Sequence, residues 1–131
     1  MEQFSVKTSA RTQMIDITTE IRKIVKEKGI KNGILTVFIP HTTAAVTINE
    51  NADPDVQRDI TYEIDKIVPF NDGYHHMEGN SAAHIKASLF GSSELVIISE
   101  GSLQLGTWQG IYFCEFDGPR HRKVWVKINE C

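Results

Sequence analysis

Phe4, Val6 and Thr8 alternate with Gln3, Ser5 and Lys7, a period of two that predicts a first strand with one face buried. Gln13-Met14-Ile15 predicts a second, shorter strand. The period then lengthens. Ile17, Ile21, Ile24 and Val25 fall on one side of a helix and Arg22, Lys23, Lys26, Glu27 and Lys28 on the other, with Asp16 or Thr18 as cap and Gly29 as stop. Ile34 to Ile39 is a dense run of strand formers closed by Pro40. His41-Thr42-Thr43-Ala44-Ala45-Val46-Thr47-Ile48-Asn49-Glu50 resumes extended structure. Along it His41, Thr43, Ala45, Thr47 and Asn49 share a small or polar face, and Val46 and Ile48 take the other. The second face predicts core, the first the floor of a polar site.

Asp53 before Pro54 starts a second helix, in which Val56, Ile60, Ile64 and Ile67 recur at helical spacing until Pro69 breaks it. A third, capped by Asn80 or Ser81, carries His84, Lys86 and Ser88 as far as Gly91. Leu95-Val96-Ile97-Ile98 has no polar alternation and predicts a central strand covered on both faces. After a glycine-punctuated loop from Gly101 to Gly110, Ile111–Phe116 and Val124–Ile128 read as paired strands joined by the turn Asp117-Gly118-Pro119-Arg120. No repeat, low-complexity tract or linker interrupts residues 1–131. The pattern therefore predicts one α+β domain of six or seven strands and three helices.

At 131 residues the chain is long enough for a core without disulfides or metal staples and too short for a (β/α)8 barrel, which needs about 250. Its 40% hydrophobic and 24% charged residues suit a soluble globular protein. A net charge of -3, with only Arg120-His121-Arg122-Lys123 forming a basic knot, argues against a nucleic-acid partner. There is no apolar run of the ~20 residues that span a membrane, and Met1-Glu2-Gln3-Phe4 does not resemble a signal peptide. The expected location is the cytoplasm, with Cys114 and Cys131 as free thiols.

Candidate chemistry concentrates in Tyr74-His75-His76-Met77-Glu78-Gly79-Asn80-Ser81-Ala82-Ala83-His84-Ile85-Lys86, which holds three of the five histidines. His41, His76 and His84 come from different polar settings and can converge on one ion, three imidazoles and a water making a catalytic zinc site. The spacing is not diagnostic, and hydrogen-bonded or surface histidines are the alternative. His75 can exchange roles with His76, whereas His121 in the basic knot reads as solvated. Glu115 and Asp117 share a strand face and suit a hard-cation site, an acid/base pair or plain solvation at an edge. Arg120 and Arg122 can grip a phosphate or carboxylate. Gly106-Thr107-Trp108-Gln109-Gly110 offers amides, a hydroxyl and a stacking ring, or a loop with a packed Trp. Cys114 lies opposite Glu115 with Tyr112 and Phe116, a core thiol rather than a nucleophile.

Three blocks, His41–Glu50, His76–Ser88 and Leu105–Ile111 with its continuation Glu115-Phe116-Asp117-Gly118-Pro119-Arg120, resemble the YjbQ-like family in order and across essentially the whole chain. The resemblance implies a small single-domain α+β sandwich around a mixed, mainly antiparallel sheet with about three helices. It also implies a homotrimer and the secondary thiamine-phosphate synthase label that members often carry. The motif positions it matches include His41, His76, His84, Asn49, Glu50, Lys86, Thr107, Trp108, Gln109, Glu115, Asp117 and Arg120. Joined to the residue reading, this gives a metal set of His41, His76 and His84 for a divalent ion, zinc before magnesium. The catalytic set is His41, Asn49, Glu50, Glu78 and Lys86, and the substrate set is Thr43, Asn80, Thr107, Trp108, Gln109 and Arg120.

The implied reaction joins hydroxymethylpyrimidine diphosphate to thiazole phosphate with loss of pyrophosphate. A metal would bridge the diphosphate, Lys86 and Arg120 would neutralise the departing charge, and Trp108 would stack on a heteroaromatic ring. The same residues suit metal-dependent hydrolysis of a small phosphorylated or acyl substrate with Glu50 or Glu78 handling the proton, or a non-catalytic trimer that binds a metabolite or metal. Strand parity adds a constraint: Asn49 and Glu50 face opposite sides, so only one joins a site unless the chain turns there.

Overall fold

A computed structural model describes all residues from Met1 to Cys131. The elements are β1 (Glu2–Lys7), β2 (Gln13–Asp16), α1 (Thr18–Lys28), β3 (Gly33–Phe38), β4 (Ala44–Glu50), α2 (Pro54–Ile67), α3 (Ser81–Phe90), β5 (Ser93–Ser99), β6 (Ser102–Leu103), β7 (Gln109–Glu115) and β8 (His121–Glu130). Two sheets result, one in the order β1-β8-β3-β5-β6 and one in the order β2-β7-β4. Every pairing is antiparallel, so the expected mixed, mainly antiparallel sheet is two wholly antiparallel ones. No helix is long and apolar enough to cross a membrane.

The sheets pack face to face over one core. Leu35, Val37, Val124, Val126, Val96 and Ile98 from the larger sheet meet Val46, Ile111 and Phe113 from the smaller, and α1 adds Ile21 and Val25. Asp16 supports the start of α1 by accepting from the Thr18 backbone N–H at 2.9 Å. On its other side the smaller sheet carries α3. There Ala45, Ala83 and Ala87 are small enough to let helix and sheet approach around Tyr112, Cys114 and Phe116. The Ala45 face of β4 is thus a second core, not the floor of a polar site.

Two strand expectations change. β7 does not pair with β8; it lies between β2 and β4, its Glu115 opposite both Gln13 and Ala44. Residues 117–120 are a crossover between sheets, pinned where the Thr8 N–H donates to the Arg120 carbonyl at 2.9 Å and the Gly118 N–H to that of Arg11 at 3.1 Å. β7 is also the strand covered on both faces, the role that Leu95–Ile98 of β5 was expected to fill. In β5, Val96 and Ile98 are buried but Leu95 and Ile97 are 59% and 56% exposed. With Ile34 and Phe38 they leave an apolar stripe on the outside of the larger sheet. Helix α2 is similarly uncovered: Asp53 caps it as expected, yet none of its residues is buried.

Candidate functional site

At one end of the sandwich, where β3 ends, α3 begins and the crossover passes, lies a polar cleft of about 740 Å³. Pro40 stops β3 and turns the chain so that His41 lines one wall, while the loop before α3 brings His76 and Glu78 and the helix itself His84. Asn80, Asp117, Arg120, Arg122 and Thr43 complete the polar lining. A second lobe of about 490 Å³ also touches His41 and His84 and runs on past Ala87 and Ser88.

The histidines differ in what holds them. His76 and His84 meet edge to face with centroids 5.3 Å apart, and Glu78 Oε2 lies 4.0 Å from His76 Nε2. His41 Nε2 accepts the Lys123 backbone N–H at 2.9 Å. A neutral imidazole with Nε2 as acceptor carries its proton on Nδ1. Partial burial, reinforced by the charge of Arg122, holds the His41 pKa below the ordinary histidine value and keeps the ring neutral at pH 7. No three His, Cys, Asp or Glu side chains are gathered as a ready-made metal cage. The adjacent pair is His76 and His84, with Glu78 next to it.

The depressed pKa has a stability consequence. An unfolded histidine titrates near ~6.5, so between that value and the lower folded one the unfolded chain binds the extra proton, and acid destabilises the fold across this window. Comparing melting temperatures from about pH 7 down to 5, His41→Asn should show a shallower acid decline than the wild type. Parallel curves would contradict a neutral, partly buried His41.

Beneath the cleft the chain spends its charges in a network. Glu115, expected at a solvated edge, is fully buried because β7 is central, and it pairs with Arg122, itself 5% exposed. Arg122 Nε donates to Glu115 Oε1 at 2.8 Å and Nη2 to Thr43 Oγ1 at 2.8 Å. The Thr8 hydroxyl donates to Glu115 at 2.8 Å and the Asp117 backbone N–H at 3.0 Å. Burial pushes the Glu115 carboxyl up, but Arg122 and these donors outweigh it and hold the group below the usual carboxylate range. Asp117 Oδ2 in turn accepts from Asn80 Nδ2 at 2.9 Å and Arg120 Nη2 at 3.1 Å. Asn80 stands at the N-cap of α3 without capping it, and its Oδ1 is a buried acceptor with no partner.

The cleft thus gathers His41, Thr43, His76, Glu78, Asn80, His84 and Arg120 of the expected site residues. Others are placed elsewhere. Lys86 is buried on α3 and paired with Asp65 of α2. Asn49 and Glu50 lie at the opposite end of β4, about 20 Å away at ~3.3 Å per residue. Thr107, Trp108 and Gln109 belong to that far end, since Gln109 pairs with Glu50 and the Asn51 N–H donates to the Trp108 carbonyl. All three are exposed, Trp108 by 62%. Cys114 is inert, its thiol pushed up by burial to about 12. The buried Glu115–Arg122 pair was missed, although its signal was available: a single carboxylate inside the apolar run Ile111–Phe116 requires a cation.

Comparison with known proteins bears on this arrangement. Residues 2–131 match the family model described as UPF0047 protein YjbQ-like. The chain belongs to the YjbQ-like UPF0047 family. It is 50% identical over 129 residues to UPF0047 protein YugU of Bacillus subtilis, covering 98% of each chain. It is 50% identical to a UPF0047 protein of Methanocaldococcus jannaschii, covering 96% of this chain and 91% of that one. A crystal structure of an uncharacterized YjbQ/UPF0047 protein from Clostridium acetobutylicum is 60% identical, with a TM-score of 0.97 over 98% of this chain and 100% of the other. A hypothetical protein from Aeropyrum pernix, 37% identical, has a TM-score of 0.95 over 99% and 98%. The YjbQ-like architecture is therefore a three-helix α+β fold with two curled antiparallel sheets.

Proposed function

We propose that the cleft is the active site of a small enzyme acting on a phosphorylated metabolite, with a divalent metal, zinc before magnesium, held by His76 and His84. The observation that carries this reading is convergence: His41, His76, His84 and Arg120 come from separate segments and line one cleft. The residues fit a metal in part. His76 and His84 offer adjacent imidazoles and Glu78 a nearby carboxylate, whereas His41 has its Nε2 committed to Lys123. A bound ion would polarise a phosphoryl oxygen and lower the pKa of a water. Glu78, exposed at the mouth, is placed to take or return a proton, and Arg120, steadied by Asp117, to offset phosphate charge.

Thiamine phosphate formation is the finer version of the same reading. A cleft of about 740 Å³ is large enough for two small phosphorylated ring compounds. Within one chain it lacks the stacking ring, because Trp108 lies at the far end. Assembly as a homotrimer would address this. The outer stripe of Ile34, Phe38, Leu95 and Ile97 and the uncovered α2 are two different apolar surfaces on one chain. Heterologous contact between such surfaces gives a closed ring when the rotation between neighbours is a third of a turn, and an open filament when it does not close. Phe38 also lines the cleft, so a neighbour docked on the stripe would stand at its rim.

The test combines elemental analysis, solution mass and turnover. Wild-type protein should carry about one divalent ion per chain, have three times the 14.8 kDa chain mass and turn over a member of a phosphorylated-metabolite panel that includes the two thiamine precursors. His84→Ala should lose the ion and about 10²-fold or more of the rate while keeping its mass. Undiminished turnover in this variant would rule out the cleft as the active site.

A further inference from the structure

Arg122 is nearly buried, yet its guanidinium is only partly used. Nε and Nη2 are spent on Glu115 and Thr43, while Nη1 has no hydrogen-bond partner. It is not an orphan in the core either, since Asn80 Oδ1 is the one buried side-chain polar atom without a partner. Arg122 lines the cleft and is 5% exposed. His41 is likewise only partly used. With Nε2 accepting from Lys123, the proton sits on Nδ1, which has no partner within the chain and is not sealed from solvent. Two fixed sets of N–H donors therefore line one cleft, and nothing in the chain accepts from them.

We infer that the floor of the cleft is a phosphate subsite in which Arg122 Nη1 and His41 Nδ1 donate to phosphate oxygens, while Glu115 and Thr43 hold the guanidinium in place. The inference rests on the cleft receiving a phosphorylated ligand and names the groups that grip it. Salt-bridged Arg122 cannot swing away, so little side-chain freedom is lost when the anion arrives. His41 contributes a neutral donor and gives a mono- or dianion a hydrogen bond without a second full charge. Donors from β8 and from the bend before β4, in a cleft also lined by His76 and His84, suit a tetrahedral ion with several oxygens better than a planar carboxylate with two. It also follows that His41 serves the ligand rather than a metal.

The experiment titrates inorganic phosphate into EDTA-treated, isotope-labelled full-length protein and follows the histidine side chains by long-range proton–nitrogen NMR. The free protein should show His41 as the Nδ1–H tautomer, and phosphate should shift that nitrogen. Arg122→Lys should weaken phosphate binding about tenfold or more, because one ammonium cannot serve both Glu115 and the cleft. Where that variant does not fold, Glu115→Gln/Arg122→Gln, which removes both buried charges together, should show the same loss. Acetate at equal concentration should move the His41 signal less. An Nε2–H tautomer, no phosphate response, undiminished affinity in the folded variant, or acetate binding as well as phosphate would each overturn the inference. The enzyme reading fails separately: phosphate bound as described in a protein with neither metal nor turnover leaves this subsite standing and removes the catalysis.

Discussion

Glu115→Ala is expected to destabilise the fold by about 3–5 kcal/mol, the range found when one partner of a buried ion pair is removed. The carboxylate is fully buried and receives donors from three residues, Arg122, Thr8 and the Asp117 backbone, while the same guanidinium also donates to Thr43. Alanine leaves the Arg122 charge, only 5% exposed, with Thr43 alone to meet it, and strands the Asp117 N–H. Equilibrium urea unfolding measures the loss. The pair also joins the two sheets, Glu115 from β7 and Arg122 from β8, so the sheets have fewer ties at the cleft end without it.

The pH dependence of that loss has a definite sign. The Glu115 carboxyl is held below its unfolded value, so its contribution is fully present above the unfolded carboxylate pKa of ~4.3 and disappears as pH falls through the folded one. Wild type and Glu115→Ala should therefore differ most at neutral pH and converge on acidification. Glu115→Met/Arg122→Met, which removes both charges and keeps apolar volume, should cost less than the single alanine change. A single-variant cost below about 1 kcal/mol would mean that the pair behaves like a solvent-screened surface bridge.

How far the fold was legible depended on whether a local pattern had one structural solution. The 3.6 periods at Ile17–Val25 and Val56–Ile67, the Asp53-Pro54 start and the alternation of Val46 and Ile48 are self-contained, and each gave the element observed; the α1 and β4 patterns also gave the buried face, whereas α2 buries none of its residues. Pairing is not local. Ile111–Phe116 and Val124–Ile128, separated by a Gly-Pro turn, suit a hairpin as well as a crossover, and the choice falls to β2 and β4, which flank β7 on both edges. Leu95–Ile98 misled for a related reason: an unbroken apolar run is the mark of two-sided burial, but here its outer half is an uncovered surface stripe. In the site, the three histidines were visible as a cluster, whereas the roles of Asn80, Asp117 and Thr8 depend on contacts across 37 and 107 positions that no spacing rule reaches.

Gly118→Ala should be the second large effect, and the one that separates the scaffold of the cleft from its chemistry. A Cβ at Gly118 would lie 2.2 Å from the Ala10 carbonyl oxygen, 2.8 Å from Glu115 Cγ and 2.9 Å from Thr8 Oγ1. A side chain could rotate away from such a contact, but a backbone carbonyl cannot. The crossover must therefore shift as a unit, taking with it the Asp117 N–H that holds Glu115 and the Arg120 carbonyl that binds Thr8. Overpacking of this kind costs about 1–3 kcal/mol. Because Asp117 and Arg120 line the cleft, phosphate affinity should fall with stability although no polar group has been deleted. Gly73→Ala supplies the comparison: nothing lies within 4 Å of its Cβ, and its effect should stay within about 0.5 kcal/mol. Should Gly118→Ala match Gly73→Ala in both urea unfolding and phosphate titration, the crossover would have to be loose. The Glu115, Thr8 and Arg120 contacts converging on it would then contribute little to either the fold or the cleft.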